Sequence, residues 1–306
     1  MRSGTVALVG RSNVGKSTFL NAVLGEPLAI VSPLPQTTRD TLLGVVHRAQ
    51  AQIAFLDTPG LHRPRSELGR RMNAVAKDAL AGAAVVVLMT DVERVRRRVT
   101  AGAAADPEDL SILEQIPQAT PALVVVNKID LLRDKSLLLP LLSEMCERRV
   151  LAAIVPVSVR ADDGLLRVLD EIERALPEAE PAFGEDTLTD RSTRWLAAEY
   201  LREQVLLGTR GEVPHAVAVS IDRFDESDTL VVVQATLHVE KHGQRGIMIG
   251  QGGTRIKELG IRARQRIEAL VGRRVHLELF VRLTPRWRNA PRLLAELGYQ
   301  PPRRPE

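Results

Sequence analysis

The chain has 306 residues, which is enough for two domains that each bury a core. Its hydrophobic content of 44% and charged content of 26% are ordinary for a globular protein, and no run of about 18 apolar residues predicts a membrane span. The single cysteine, Cys146, excludes an intrachain disulfide and a cysteine metal cluster, and the start of the chain does not read as a signal peptide, so we expect a cytoplasmic protein.

Positive charge is concentrated in one short part of the chain. The formal net charge is +4, but residues 241–274 carry nine basic and two acidic residues. A local basic face of this kind favours a polyanionic partner such as nucleic acid. The alternative is a solvated helix surface that binds nothing.

Short apolar segments alternate with helical patterns through the first part of the chain. The runs at 85–88 and 123–126 are apolar throughout, as expected for strands covered on both faces. The alternation predicts an α/β fold with a doubly wound, mostly parallel sheet, in a domain that spans 1–176. Predicted strands are 5–9, 42–47, 53–56, 84–89, 122–126 and 154–157, and predicted helices include 18–24, 136–147 and 163–175.

A change in composition marks the end of this domain. Residues 177–188 contain two prolines, one glycine and four acidic residues, which predicts a linker. A second α/β domain is predicted over 189–298. It begins with a helix at 189–206 capped by Thr189, and continues with strands at 214–221 and 229–239, a glycine-rich turn, a helix and a strand at 275–281. Residues 299–306 are predicted to be a disordered tail.

Residues 10–17 match the phosphate-binding pattern G-x-x-x-x-G-K-[ST], with a predicted strand before them and a helix after them. In this pattern, backbone N–H groups surround the β-phosphate, the lysine places its charge on the β- and γ-phosphates, and the last hydroxyl is a ligand of Mg²⁺. The flanking elements disfavour the alternative of a chance glycine-rich turn. The predicted nucleotide-binding residues here are Gly10, Arg11, Ser12, Asn13, Val14, Gly15, Lys16 and Ser17.

A second motif predicts which base is bound. Asn127, Lys128 and Asp130 follow the strand at 122–126, at the strand end where open α/β sheets bind ligands. The carboxylate of Asp130 can accept hydrogen bonds from N1–H and from the exocyclic amine of guanine, whereas adenine offers neither. The stem of Lys128 can lie over the base. These residues therefore favour GTP over ATP.

Two segments are predicted to respond to the γ-phosphate. One segment is residues 57–60, Asp57-Thr58-Pro59-Gly60, which we call the second switch. Asp57 can hold Mg²⁺ through a water, and the N–H of Gly60 can reach the γ-phosphate. The other is residues 36–40 (the first switch), QTTRD, in which a threonine can complete the metal shell only while the γ-phosphate is present. The residues alone leave Thr37 and Thr38 as rival candidates for that ligand.

A glycine loop in the second domain predicts the polyanion site. G-x-x-G at 250–253 opens a helix whose apolar positions share one face, while most of its arginines lie off that face. Such a loop lets backbone N–H groups approach phosphates closely, which is how a KH domain grips about four nucleotides of single-stranded RNA. The predicted RNA-binding residues are Lys241, Arg245, Ile249, Gly250, Gln251, Gly252, Gly253, Arg255 and Lys257.

The order of these motifs resembles a known family. TTRD, DTPGLH and NKID, followed by LTDRSTRW, VEKHGQRGIMIG and GIRARQ in the second domain, are similar to the Era family of bacterial GTPases over residues 5–298. That family joins a translation-type P-loop GTPase domain to a C-terminal KH domain. Residues 92–106 depart from the family pattern.

The resemblance implies an enzyme that converts GTP to GDP and phosphate with Mg²⁺ as its cofactor. Ser17, Thr38 and, through a water, Asp57 would hold the metal, with Thr37 still the rival of Thr38. Lys16, Thr38 and Gly60 would serve hydrolysis.

Two positions depart from what GTPases in general, or this family, usually carry. Leu61 is a nucleotide-site residue that stands where many GTPases have a water-orienting glutamine, so another group must order the attacking water. Ser158 and Val159 would meet the base, with the contact at Val159 made through the backbone. The family usually has alanine at that second position.

The resemblance also implies partners. They are small-subunit ribosomal RNA near its 3′ end and the 30S ribosomal subunit, with a role in ribosome biogenesis. Members of this family associate peripherally with the inner membrane, although no anchor is visible in the sequence, and we expect a monomer.

Two other functional classes compete with this interpretation. One is an RNA-binding module whose nucleotide domain is vestigial, which the intact Lys16, Ser17, Asp57 and Asp130 argue against. The other is a related GTPase of transfer-RNA modification or metal transport, which would leave the glycine loop at 250–253 without a reason.

Three further features are predicted to be structural. Cys146 is expected in a core or an interface, and one carboxylate of the pair at 162–163 is expected to cap the helix that follows. Trp195 and Trp287 are expected to be buried in a core or between domains.

Overall fold

The computed structural model describes residues 1–61, 63–93 and 105–299. Most of the 92–106 departure, and residues 300–306 of the predicted tail, therefore lie outside the described residues. Within the described ranges, no helix is both long enough and apolar enough to cross a membrane.

The first part of the chain builds one sheet. Its strands lie in the order β2-β3-β1-β4-β5-β6, and all pairs are parallel except β2 with β3. This confirms the predicted doubly wound, mostly parallel sheet, and β2 forms an antiparallel hairpin with β3 at its edge. The strands are β1 (Arg2–Val9), β2 (Leu42–His47), β3 (Ala51–Asp57), β4 (Val85–Asp91), β5 (Ala122–Asn127) and β6 (Ala153–Pro156).

Helices cover both faces of this sheet. In β1, Val6 and Leu8 pack into one core while Ala7 and Val9 pack into the core on the opposite face, and all four are fully buried. A strand buried on both sides needs a continuous apolar run, which explains why these strands do not alternate polar and apolar residues. The helices among the described residues are α1 (Lys16–Leu24), α2 (Glu67–Gly82), α3 (Pro107–Gln115), α4 (Leu138–Arg148) and α5 (Leu165–Ala175).

The second part of the chain builds a smaller sheet in the order β7-β8-β9, with β7 and β8 antiparallel and β8 and β9 parallel. Two long helices pack on it, and Ala197 and Tyr200 of the first share a core with Ala263 and Ile267 of the second. The elements are α6 (Thr193–Gly208), α7 (Val213–Ala216), β7 (Ala218–Glu226), β8 (Leu230–Val239), α8 (His242–Ile249), α9 (Thr254–Val271), β9 (Arg274–Leu283) and α10 (Pro291–Glu296).

Local hydrogen bonds correct several predicted boundaries. Helix α6 begins four residues later than predicted, because the hydroxyl of Ser192, and not that of Thr189, accepts the hydrogen bond from the N–H of Trp195. The prediction that a carboxylate caps α5 is wrong, since Gly164 occupies the cap and Asp163 pairs with Arg167 instead.

Further differences concern single residues and short segments. The strand predicted at 214–221 begins at Ala218 instead, because residues 213–216 form one helical turn with proline near its start. Cys146 is exposed and not in a core. Trp287 is fully buried as expected, and Trp195 is partly buried.

The predicted linker lies along the first sheet and is held there by hydrogen bonds. Gln52 of β3 exchanges two hydrogen bonds with the backbone of Phe183, at 2.6 and 2.9 Å, and Val45 donates from its backbone to Leu188. The acidic, proline-containing composition correctly indicates an absence of helix or strand, but it could not show that the backbone is paired.

Candidate nucleotide site and RNA-binding groove

The predicted phosphate loop connects β1 to α1 and lines a cleft of about 310 Å³. Lys16 is 7% exposed, and its ammonium donates to the carbonyls of Gly10 and Arg11 at 3.0 Å each. Burial lowers the pKa of Lys16 to about 8, although the nearby Asp57 opposes the shift. A buried cation whose hydrogen-bond partners among the described residues are two carbonyls is suited to receive phosphate oxygens.

Not every residue of the loop faces the cleft. Val14 is fully buried in the core, and the side chain of Arg11 turns inward, where it donates to Asp109 at 2.8 Å and lies within 3.9 Å of Asp91 and 3.8 Å of Asp106. Those two predicted nucleotide contacts can therefore involve the backbone alone. Ser12, Asn13, Gly15, Lys16 and Ser17 all line the cleft.

Three oxygen-bearing side chains converge beside Lys16. The hydroxyl of Ser17 donates to Asp57 Oδ2 at 2.6 Å, and Thr38 Oγ1 lies 3.0 Å from Ser17 Oγ and 3.3 Å from Asp57 Oδ2. Thr37 is directed elsewhere, because its hydroxyl donates to the carbonyl of Leu34 at 2.7 Å. Of the two rival threonines, Thr38 is the one that the fold brings to Ser17 and Asp57.

The donor set fits Mg²⁺. Oxygens that share an octahedral Mg²⁺ at about 2.1 Å lie about 3 Å apart, close to the separations found here. Asp57 is fully buried, burial raises its pKa, and its other carboxylate oxygen, Oδ1, has no hydrogen-bond partner among the described residues. A water bound to the cation would satisfy this oxygen, and the positive charge of the cation would favour the ionised carboxylate.

The rest of the second switch is held by the sheet. Thr58 is buried and its hydroxyl donates to the carbonyl of Leu8 at 2.7 Å. Gly60 lines the cleft beside Ser12, whereas Leu61 is half-buried against the apolar core. Pro59, which lies between Thr58 and Gly60 in the chain, is buried. Leu61 thus has neither the chemistry nor the placement to orient a water.

The predicted base-binding loops are tied to the phosphate loop by one side chain. Asn127 is 4% exposed; its amide nitrogen donates to the carbonyl of Val14 at 2.9 Å, and its oxygen accepts from the N–H of Lys128 at 2.7 Å and of Val159 at 3.2 Å. Asn127 therefore organises three loops. Asp130 is exposed, and the hydroxyl of Ser158 donates to its Oδ1 at 2.6 Å, which leaves the carboxylate held at the mouth of the site.

Sequence reasoning missed the acidic partner of Lys128. The ammonium of Lys128 lies 2.9 Å from Asp91 and 2.8 Å from Glu93, and these carboxylates raise the pKa of Lys128 despite its burial. Asp91 also faces Arg11, so it connects the phosphate loop with the base loop. The signal was present in the sequence, because Asp91 ends the apolar strand β4 on the edge where the site forms.

The glycine loop at 250–253 opens α9, as predicted, and joins it to α8, a helix that was not predicted. Arg255 donates to the carbonyl of Ile247 at 2.9 Å, and Lys241 forms an exposed ion pair with Glu212 at 2.9 Å. Arg245, Gln251, Gly252 and Lys257 are exposed, and Ile249, Gly250 and Gly253 are partly exposed. The predicted RNA-binding residues 249–257 thus lie on or next to this loop, whereas Lys241 caps the opposite end of α8.

A groove that the sequence did not reveal begins next to this loop. Its volume is about 340 Å³, and it is lined by Ile256, Lys257, Gly260, Ile261, Arg264, Leu277 and Leu279. Ile261 is 42% exposed. Apolar side chains flanked by cations are suited to nucleotide bases and their phosphates. The groove forms only because α9 lies beside β9, which no local pattern predicts.

Known proteins match both parts of the chain. The family described as 50S ribosome-binding GTPase matches residues 5–128, and the KH domain family matches residues 212–288. GTPase Era of Syntrophus aciditrophicus is 42% identical over 97% of this chain and 95% of that relative, and GTPase Era of Xanthomonas oryzae is 42% identical over 98% and 97%.

Solved structures match over the same length. An Era variant from Aquifex aeolicus bound to GDP·AlF₄⁻ is 39% identical, with a TM-score of 0.91 over 98% of this chain and all of that chain. Era in complex with MgGDPNP and nucleotides 1506–1542 of 16S ribosomal RNA is also 39% identical with a TM-score of 0.91. The chain therefore belongs to the Era family of GTPases, in which a GTPase domain is followed by a KH domain, as the order of its motifs predicts.

Proposed function

We propose that this chain binds GTP with Mg²⁺, hydrolyses it to GDP and phosphate, and binds small-subunit ribosomal RNA near its 3′ end in the biogenesis of the 30S subunit. The observation that carries the proposal is the convergence of Ser17, Thr38 and Asp57 beside the buried ammonium of Lys16, with Oδ1 of Asp57 left without a hydrogen-bond partner among the described residues. The complex of a 39%-identical Era with MgGDPNP and a 16S ribosomal RNA fragment supports the two ligands.

Hydrolysis requires that charge on the leaving and transferred phosphates be stabilised. Ser17 and Thr38 would hold Mg²⁺ directly and Asp57 would hold it through a water, and the bound metal would supply positive charge to the β- and γ-phosphates. Lys16 would exchange the carbonyls of Gly10 and Arg11 for phosphate oxygens, which restores its full positive charge. The N–H of Gly60 would meet the γ-phosphate.

Base selection would rest on Asp130. Ser158 holds one of its oxygens at 2.6 Å, so the carboxylate is oriented before the base arrives. Lys128, fixed by Asp91 and Glu93, would lie along one face of guanine. Val159 and Asn127 would shape the pocket through the hydrogen bond from the N–H of Val159 to the side-chain oxygen of Asn127.

RNA would bind along the glycine loop and the groove beside it. Phosphates would contact the loop and the cations Lys257 and Arg264, while bases would pack against Ile261, Leu277 and Leu279. This division of labour extends the predicted RNA site from the loop to one face of α9 and the adjoining strand.

We further propose that residues 1–176 form the GTPase domain and residues 189–298 the KH domain, joined by 177–188. The cytoplasm as the site of action, peripheral association with the inner membrane, and a monomeric state are supported by family membership. Sedimentation of the purified chain would measure its oligomeric state, and fractionation of cells that produce it would measure its association with the membrane.

Two assays on the full chain test the proposal. Single-turnover GTP hydrolysis is measured with Mg²⁺ and with a chelator, and binding of a labelled 16S ribosomal RNA 3′ fragment is compared with a scrambled fragment of equal length. Metal-dependent hydrolysis and preference for the natural fragment are expected. Nucleotide-independent RNA binding without any hydrolysis would favour a vestigial nucleotide domain instead.

A further inference from the structure

Tyr299, the first residue of the predicted tail, is held in place by hydrogen bonds. Gly298 adopts φ 89° after α10, so that the N–H of Tyr299 donates to the carbonyl of Leu294 at 2.8 Å and that of Gly298 donates to Ala295 at 3.0 Å. This pair of bonds is a Schellman helix end, which favours glycine because its φ is positive. The turn brings the ring of Tyr299 onto Trp287, with centroids 6.0 Å apart and planes 21° apart.

This aromatic pair meets the first switch. The guanidinium of Arg39 lies 5.7 Å from the centroid of Trp287, and it donates to the carbonyl of Val217 at 2.7 Å and to the hydroxyl of Tyr299 at 3.4 Å. Arg39 is only 5% exposed, although its neighbour Thr38 faces Ser17 and Asp57. A fully desolvated guanidinium needs all of these partners.

The same tyrosine meets the element after the second switch. Arg71 of α2 donates to the backbone carbonyl of Tyr299 and, at 3.2 Å, to that of Pro291. Leu68 and Met72 of α2 pack into one apolar cluster with Trp287 and Leu294, with Tyr299 against it. Residues 286–299, the C-terminal segment, therefore contact the first switch and α2 at once, with Tyr299 between Arg39 and Arg71.

We propose that Tyr299 is a positioning residue for the nucleotide site. Through Arg39 and Arg71 it holds the first switch and α2 in the arrangement in which Thr38 reaches Ser17 and Asp57. The proposal rests on the GTP-dependent function proposed above, since it concerns the same site.

The arrangement that Tyr299 stabilises is the one that serves a γ-phosphate. Thr38 and Gly60 are expected to contact the metal and the γ-phosphate, whereas GDP is held mainly by the phosphate loop and the base loops. A nucleotide gains affinity only in so far as it binds one arrangement better than the other. Removing the contacts of Tyr299 should therefore lower the affinity for a GTP analogue and leave the affinity for GDP nearly unchanged.

The test compares affinities of the full chain for a non-hydrolysable GTP analogue and for GDP, with Mg²⁺, in wild type, Tyr299→Ala, Tyr299→Phe and Arg71→Met. The control is Arg292→Ala, because Arg292 lies in the same segment with its side chain 91% exposed and paired only with Glu296 among the described residues. Thermal unfolding of each variant reports the structural effect separately.

We expect the affinity ratio of analogue to GDP to fall about five- to tenfold in Tyr299→Ala and Arg71→Met, less in Tyr299→Phe, and not in the control. An unchanged ratio in Tyr299→Ala and Arg71→Met, with both variants folded, would overturn the proposal. If Tyr299→Ala does not fold, the ratios of Arg71→Met and Tyr299→Phe decide. Wild type that binds no GTP analogue would instead refute the proposed function.

Discussion

Replacing Asp130 by asparagine should reverse the base preference of the site. Ser158 donates to Oδ1 of Asp130 at 2.6 Å, so in Asp130→Asn the amide oxygen is expected to occupy that position and the amide NH₂ to face the base. Guanine would then present N1–H and its exocyclic amine to another donor. Xanthine carries an oxygen at C2, which the NH₂ can satisfy.

The magnitude follows from the bonds lost. Two hydrogen bonds to a charged group contribute about 1.5–3 kcal/mol each, and the exposed position of Asp130 places the result at the lower end. A loss of about 3 kcal/mol weakens GTP by roughly 150-fold. Ser158→Ala is the matched control, because it frees the carboxylate without changing its charge. It should weaken GTP by less than about tenfold and should not create affinity for the xanthine nucleotide.

Competition of GTP and xanthosine triphosphate for the same site, with a fluorescent GDP analogue as reporter, measures both affinities. If Asp130→Asn still preferred GTP, the assignment of Asp130 to the base would be refuted. If Ser158→Ala and Asp130→Asn changed the affinities for both nucleotides equally, both substitutions would only disturb the loop.

Three further outcomes are expected. The pKa of Lys16 is lowered to about 8 in the empty site, whereas bound phosphates favour its ammonium form. GTP affinity should therefore fall as pH rises above 8, and calorimetry in buffers of different ionisation enthalpy should detect proton uptake on binding there. A flat affinity from pH 7 to 9.5 would contradict this. Thr38→Ala should raise the Mg²⁺ concentration needed for half-maximal hydrolysis several-fold and Thr37→Ala should not, and the reverse result would exchange their roles. Gly252→Asp should weaken RNA binding at least tenfold more than Gly252→Asn, because an added side chain meets open space there and the two variants differ only in charge. Equal losses would mean that the shape of the side chain, and not repulsion of phosphate, is responsible.

Some failures of sequence reasoning have a common physical origin. Thr37 and Thr38 are adjacent and chemically identical, and only the path of the first switch across the cleft turns one toward Asp57 and the other toward Leu34. Arg11 carries a charge that would suit phosphate, yet three aspartates from β4 and the start of α3 draw it inward. Leu34 is close to Thr37 in the chain, but Asp57 and the aspartates around Arg11 are distant from the residues they contact.

The sequence by itself determined the α/β fold, the order of the two domains and the loops that form the candidate sites. These features depend on local patterns, namely apolar runs that need cover on both faces, glycines that permit close backbone approach, and motifs placed at strand ends. Only the tertiary structure decided that the groove at Ile261 continues the glycine loop and that Asn127 ties three loops together. It alone decided that Tyr299 reaches both the first switch and α2, because such contacts join residues more than 200 positions apart and are selected by the packing of whole elements, which no local pattern encodes.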